Sequence, residues 1–148
     1  MRPCVLFDVD GTLADNTHRQ HFVRQKPKDW KSFFLGIPED KLIAATYRTL
    51  VPLYKHGHNI LYVTARPLWT KDMTENWLHE KIDLGIFEDG YYRQNNDFRR
   101  DDIVKREILG QLRLDGWEPW LVFDDRDQVV KMWRSEGIPC FQVNDGDF

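Results

Sequence analysis

At 148 residues and 17.7 kDa, the chain has room for one domain with a single core. Its 41% hydrophobic and 30% charged residues exclude a disordered tail, a collagen-like fibre and a multi-span membrane protein. A formal charge of −3 and a pI near 5.9 exclude a generally basic nucleic-acid coat but leave room for a local basic groove.

The first apolar run, residues 5–7, ends in Asp8-Val9-Asp10-Gly11-Thr12. Short runs rich in Val, Leu, Ile, Phe and Tyr read as buried strands of a parallel sheet. Residues 14–38 interrupt the pattern with polar and basic side chains and one short predicted helix at 29–35. A long insert at such a place covers or edges an active site. Its basic run, Arg24, Lys26, Lys28 and Lys31, reads either as a solvated face or as a steering element for an anionic substrate. Trp30, Phe33 and Phe34 read as residues that pack the insert onto the domain, with stacking on bases the alternative open to them. Residues 40–55 place Leu42, Ile43, Thr46, Leu50, Leu53 and Tyr54 near one helical face, with Gly57 as the stop. A second strand at 59–63 leads into Thr64-Ala65-Arg66-Pro67, and a helix follows at 69–81. Residues 90–93 are a weaker strand candidate.

The helix predicted at 101–114 opens on Asp101 and Asp102, which suits the positive end of its dipole. A third clear strand at 120–123 leads into Asp124-Asp125-Arg126-Asp127. A helix at 128–136 is closed by Gly137, and a last strand lies at 140–143. This alternation predicts an α/β, doubly wound, Rossmann-like domain over residues 1–148. It has a central parallel sheet of about five strands, helices on both faces, and a short cap or flap at about 14–38. Cys4 and Cys140 each lie in an apolar run and are expected as buried free thiols. The stretch MRPCVLFDVDG meets aspartates before any long apolar segment, so the expectation is no signal peptide, no membrane span and a cytoplasmic location.

Ligands in such sheets bind beyond the carboxyl ends of the strands. The residues expected there are Asp8, Asp10, Gly11 and Thr12, then Thr64 and Arg66, then Asp124 and Asp125, with Asp101 and Lys105 at the start of the preceding helix. Converging carboxylates repel unless a cation joins them, and an oxygen-rich set favours Mg²⁺. Mg²⁺ in turn suits a phosphoryl substrate. Lys105 and Arg66 are natural partners for phosphate oxygens, and an Asp carboxylate is a known phosphoryl acceptor. Lys105 also reads as a solvated lysine paired with Asp101 one turn earlier, and Thr64 as a hydroxyl bonding the backbone. Asp127 reads as a surface acid and is left out of the site. Arg126 is ambiguous, and the histidines show no metal-ligand spacing.

Asp8-Val9-Asp10-Gly11-Thr12, Thr64 after an apolar strand, Lys105, and Asp124-Asp125 resemble the four ordered motifs of the haloacid dehalogenase (HAD) superfamily of phosphotransferases. Within it, Arg100 to Lys105, Asp124 to Arg134 and the closing Gly146-Asp147-Phe148 are similar to the 3′-phosphatase domains of T-even phage polynucleotide kinase/phosphatases. Arg19, eleven residues beyond Asp8, fits the same pattern. The relative has Ser-Gly-Arg where this chain has Thr64-Ala65-Arg66. No Gly-x-x-x-x-Gly-Lys-Ser/Thr occurs, so this chain corresponds to the phosphatase half without the kinase.

The resemblance implies a Mg²⁺-dependent phosphomonoesterase acting on a phosphorylated nucleic-acid end or nucleotide, most of all a polynucleotide 3′-phosphatase. It implies Asp8 as nucleophile and Asp10 as general acid and base. Thr64, Arg66 and Lys105 would hold phosphoryl oxygens, and Arg19 would contact the substrate. Asp101 would cap its helix and orient Lys105 on the substrate side. Asp8, Asp124 and the Asp10 carbonyl would bind Mg²⁺, with Asp125 in support. The alternatives are a phosphatase of free nucleotides or sugar phosphates, and a non-catalytic phosphate- or nucleic-acid-binding module.

Overall fold

The structure is a computed structural model and describes all 148 residues. The chain enters at β1 (Arg2–Phe7). It then runs through β2 (Ala14–Asp15), a 3-10 turn at Thr17–Arg19, α1 (His21–Arg24), α2 (Trp30–Leu35), a second 3-10 turn at Ile37–Glu39, and β3 (Lys41–Leu42). From there helices and strands alternate: α3 (Ala44–Lys55), β4 (Asn59–Pro67), α4 (Lys71–Lys81), β5 (Phe87–Arg93), α5 (Asp101–Leu114), β6 (Trp117–Asp124), α6 (Asp127–Ser135) and β7 (Cys140–Gln142).

Five strands form one parallel sheet in the order β5-β4-β1-β6-β7. Side chains alternate across a strand. Cys4 and Leu6 of β1 therefore join Leu61, Val63 and Val122 beneath α5 and α6, where Val104, Leu112, Val130 and Trp133 meet them. Val5 and Phe7 join Ile60, Tyr62 and Phe123 on the other face, against Leu50 of α3 and Trp77 and Leu78 of α4. Both faces are buried, which is why the strands read as continuous apolar runs. Trp77 and Trp133 are the bulkiest side chains sealed in these layers. Truncating either to Ala would cost about 3–5 kcal/mol.

The chain leaves β1 between two neighbours that diverge from it, β4 on one side and β6 on the other. That is a topological switch point, where loops part and leave a crevice at the carboxyl edge. The expected strands are all present, with β1, β4, β5 and β6 longer than their apolar centres. The helix expected from residue 40 begins instead at Ala44. Residues 41–42 are extended, pairing with Ala14–Asp15, and the Ile43 N–H donates to the Leu13 carbonyl. This pairing ties the end of the insert to its beginning and turns Asp40 inward. The helix expected from residue 69 begins at Lys71, because Leu68–Thr70 forms a 3-10 turn. Cys4 and Cys140 are buried and free. No helix is long and apolar enough to cross a membrane.

Candidate active site

Asp8 is the first residue past β1, and its N–H donates to the Phe123 carbonyl at 3.0 Å. The turn after it folds back through N–H bonds from Leu13 and Ala14 to the Val9 carbonyl, both 2.9 Å. Gly11 makes the turn with φ +79°, and a Cβ there would fall 2.0 Å from Asp125 Oδ2. Glycine is therefore required both by the left-handed backbone and by the close approach of Asp125. The Thr12 hydroxyl donates to Asp8 Oδ2 at 3.1 Å.

Lys105 reaches in from the first turns of α5 and is 2% exposed. Its Nζ donates to Asp8 Oδ1 and Asp124 Oδ2, both at 2.8 Å. Asp124 Oδ1 also accepts the Asp125 N–H at 2.9 Å. Asp8, Asp124 and Asp125 each offer an oxygen within 4.8 Å of the others. Fully ionised, the three buried carboxylates would face one ammonium with about two negative charges uncompensated. Burial and then Asp124 push the Asp8 carboxyl well above its usual range, against the pull of Lys105. Burial and Asp124 raise Asp125 to about 6. Burial opposes the charge on Lys105, but Asp124 and Asp8 overrule it and raise its pKa. An all-oxygen donor set with two spare charges, in a cradle that a Cβ on Gly11 would fill, fits a divalent cation such as Mg²⁺.

A second cluster lies behind the first. Arg66, at the end of β4, grips Asp10 through Nε to Oδ2 at 3.0 Å and Nη2 to Oδ1 at 2.7 Å. Arg19 adds Nη2 to Asp10 Oδ1 at 2.8 Å and stacks its guanidinium 4.3 Å above the Phe33 ring. Both arginines also bond Asp40. Arg19 reaches its two oxygens at 2.8 Å, and Arg66 reaches Oδ2 at 3.3 Å. His18 Nε2 lies 2.7 Å from Asp40 Oδ1. Burial works against the charged form of Asp10, but Arg66 and Arg19 win and hold it at about 2. The two carboxylates and two guanidiniums balance each other.

Several expectations need correction. Arg66 and Arg19, expected at the phosphoryl group and the substrate, do not line the cleft beside Asp8. They are buried behind Asp10, with their N–H groups committed to Asp10, Asp40, Thr74 and the Phe33 carbonyl. The Asp10 carboxylate belongs to this cluster, outside the three-carboxylate group. The Thr64 hydroxyl accepts the Arg66 N–H at 3.1 Å, a backbone role, and keeps its own proton free to donate. Asp101 neither caps its helix nor touches Lys105. It bridges Arg93 at 2.6 Å and Arg126 at 2.7 Å. Lys105 is neither solvated nor paired with Asp101. Within the insert, Phe33 is buried as expected, but Trp30 is half exposed.

Sequence reasoning misses Asp40 and Arg93 and leaves Arg126 undecided. Asp40 was placed at a helix start, although a buried carboxylate is needed to balance Arg19 and Arg66. Arg93 gathers the loop before α5, donating to the Ala65, Asp97 and Arg99 carbonyls and to Asp101. Arg126 closes the far rim, donating to Asp101 and to the Phe148 carbonyl. The cleft is about 80 Å³, with Arg126 and Asp101 at its edge and Asp8, Asp10, Ala65, Lys105, Asp124 and Asp125 among its other lining residues. A larger groove of about 500 Å³ lies outside it, between α5 and α6, and carries none of these motif residues. A deep carboxylate pair gripped by an ammonium, beside an ionised carboxylate clamped by arginines, suits acceptance of a phosphoryl group followed by proton transfer.

The family model described as polynucleotide kinase PNKP phosphatase domain matches residues 2–148. A protein of Autographa californica nuclear polyhedrosis virus, described as a bifunctional polynucleotide kinase/RNA ligase, is 26% identical over 137 residues, 91% of this chain and 18% of that protein. Phosphatidic acid phosphohydrolase 1 of Saccharomyces cerevisiae is 28% identical over 145 residues, 94% of this chain and 15% of that protein. A chain of the solved Pnkp1/Rnl/Hen1 complex superposes with a TM-score of 0.80 at 29% identity, covering 100% of this chain and 47% of that one. The chain thus spans under a fifth of these curated relatives and about half of the solved one.

Proposed function

The chain belongs to the family of HAD-type phosphatase domains found in polynucleotide kinases, and from that premise we propose that it is a Mg²⁺-dependent polynucleotide 3′-phosphatase working through Asp8. The observation that carries this reading is the Asp8, Asp124 and Asp125 cluster around Lys105 at the switch point of the sheet. Asp8, Asp124 and the Asp10 carbonyl would hold Mg²⁺, with Asp125 in support. When bound, the ion would offset the cluster's spare charge and polarise a phosphoryl oxygen.

Asp8 is the nucleophile and accepts the phosphoryl group as an aspartyl-phosphate. Lys105 holds the attacking carboxylate in place and offers its charge to the phosphoryl oxygens, joined by the free hydroxyl proton of Thr64. Asp10 protonates the leaving oxygen, then takes a proton from the water that cleaves the intermediate. In the resting site its ionised form is ready for the second task. The first requires a proton, which the arginine clamp opposes. An arriving phosphate dianion places negative charge beside Asp10, disfavours its ionised form and raises its pKa. Arg66 and Arg19 are thus positioning residues for Asp10, and Asp101 positions Arg126 and Arg93 at the rim.

No residue of the insert lines the cleft beside Asp8, and a cleft without a cap over it suits a chain end better than an enclosed metabolite. Two buried free thiols accord with a reducing, cytoplasmic setting. A kinase or ligase activity, as the relatives' names describe, would come from outside these residues. The test is phosphate release with Mg²⁺ from 3′-phosphorylated oligonucleotides, 5′-phosphorylated oligonucleotides and mononucleotides. Preference for the 3′-phosphorylated oligonucleotide supports the proposal. Equal or better turnover of mononucleotides or sugar phosphates overturns it in favour of a small-molecule phosphatase.

A further inference from the structure

Three aromatic rings form a row on two segments that also carry residues of the arginine clamp and its packing. Trp30 stacks on Phe34 at 5.9 Å between centroids, and Phe34 meets Trp69 edge-on at 5.6 Å. Trp30 and Phe34 belong to α2, whose Phe33 lies under the Arg19 guanidinium. Trp69 comes three residues after Arg66, in the turn that leaves β4, and its N–H is anchored by Asn95 at 2.9 Å. The row is therefore joined, through Phe33 and through the turn that leaves β4, to the side chains that clamp Asp10.

Packing the insert does not account for the row. Phe33 and Ile37 do that and are buried, whereas Trp30 and Trp69 leave 50% and 47% of their surface in water. Leu35 and Leu68 are exposed beside them. Arg24, Lys26, Lys28 and Lys31 are all exposed, and none makes an ion pair. Lys28 Nζ sits 5.7 Å from the Trp30 ring. Flat apolar faces interleaved with free cations match a single-stranded nucleic acid, whose bases stack and whose phosphates need countercharge.

We propose that Trp30 and Trp69, with Phe34 between them, form a stacking platform for unpaired bases just before the phosphorylated 3′ end, while the basic run from Arg24 to Lys31 holds the preceding phosphates. This deepens the function proposed above and rests on it. The platform accepts any base, because each base has a π-face, so it selects polymer over mononucleotide without reading sequence.

The experiment compares a short single-stranded 3′-phosphorylated oligonucleotide with the same molecule lacking bases at the positions before its terminal nucleotide, and with an aryl phosphate. The readout is kcat/KM for each oligonucleotide divided by that for the aryl phosphate. In the wild type, removing the bases should lower this ratio about tenfold or more. Trp30→Ala and Trp69→Ala should each lower it by a similar factor for the base-bearing oligonucleotide only, mainly through KM, and Trp69→Phe should restore most of it. A wild type that treats base-bearing and abasic oligonucleotides alike overturns the platform without recourse to any variant. A base-dependent ratio that survives both Ala variants overturns it as well, and leaves the 3′-phosphatase reading intact. No preference for any oligonucleotide over a mononucleotide overturns that reading itself, and the platform with it. A wild-type dimer that Trp69→Ala dissociates would assign this face to a second copy of the chain and overturn the proposal too.

Discussion

Asp40→Asn removes one charge from a sealed cluster and leaves its shape almost unchanged. Asp40 is 1% exposed and accepts from Arg19 Nε and Nη2 at 2.8 Å and from Arg66 Nη2 at 3.3 Å. Asp10 then remains as the only carboxylate facing two buried guanidiniums, and the new amide turns N–H groups toward N–H groups. Breaking a buried pair in this way costs about 3–5 kcal/mol. Against a total stability of about 5–15 kcal/mol, this leaves the variant folded at 25 °C except at the bottom of that range. A chain of this length loses about 2–4 °C of Tm per kcal/mol, so Tm should fall by about 6–20 °C.

The chemistry should suffer separately. Undiluted by Asp40, the two arginines hold Asp10 ionised more tightly, and the step that needs its proton slows. Displacing a catalytic group by about 1 Å can cost about 100-fold. We expect kcat to fall about 10- to 100-fold for an alkyl phosphate and less for an aryl phosphate, whose leaving group needs little protonation. Urea denaturation gives the first quantity and steady-state kinetics of the folded variant the second. A stability loss under about 1 kcal/mol with unchanged kcat would refute the argument that Asp40 balances the clamp.

Asp10→Asn should impair alkyl phosphates far more than aryl phosphates when phosphoryl transfer limits the rate, and equal losses would remove Asp10 from the acid role. Gly11→Ala should destabilise the fold by more than about 1 kcal/mol and cut Mg²⁺-dependent activity, since its Cβ meets Asp125 Oδ2 at 2.0 Å and its φ is +79°; wild-type Tm and activity would contradict this. Mg²⁺ should raise Tm more at pH 7.5 than at pH 5. Without metal, Asp125 at about 6 and the raised Asp8 keep protons that the unfolded chain has released, so stability falls as pH rises from the usual carboxylate range through about 6. Above that window the ion takes the place of the protons. Thermal scans with Mg²⁺ and with chelator check this, and an equal Tm gain at both pH values would refute it.

The sheet was legible because parallel strands are buried on both faces, so 5–7, 59–63 and 120–123 stand out as apolar runs without any alternation to decode. Asp8, Lys105, Asp124 and Asp125 were legible through their order and spacing, and the structure brings Lys105 within hydrogen-bond distance of Asp8 and Asp124, with Asp125 beside them. The partners of Arg19, Arg66 and Asp101 were not. Spacing shows that Arg66 follows a strand, but not that a returning insert places Asp40 opposite it. The two-residue pairing of Ala14–Asp15 with Lys41–Leu42 does that, and it is too short to leave a periodic signal. Asp101 misled because an acid at a helix start satisfies the dipole wherever its side chain points. Only β5 and β6 together bring Arg93 and Arg126 to it.

The central claim is that Asp8 carries the phosphoryl group during hydrolysis of a 3′-phosphorylated nucleic-acid end. The most direct measurement is a single turnover on an oligonucleotide radiolabelled in its 3′-phosphate, with Mg²⁺, quenched in acid during the reaction, followed by peptide mapping of the protein. The account predicts transient label on the peptide containing Asp8, appearing before free phosphate, decaying as phosphate is released, and absent from folded Asp8→Asn. Free phosphate formed with no labelled protein, or label on another peptide, or undiminished turnover by Asp8→Asn, would contradict it.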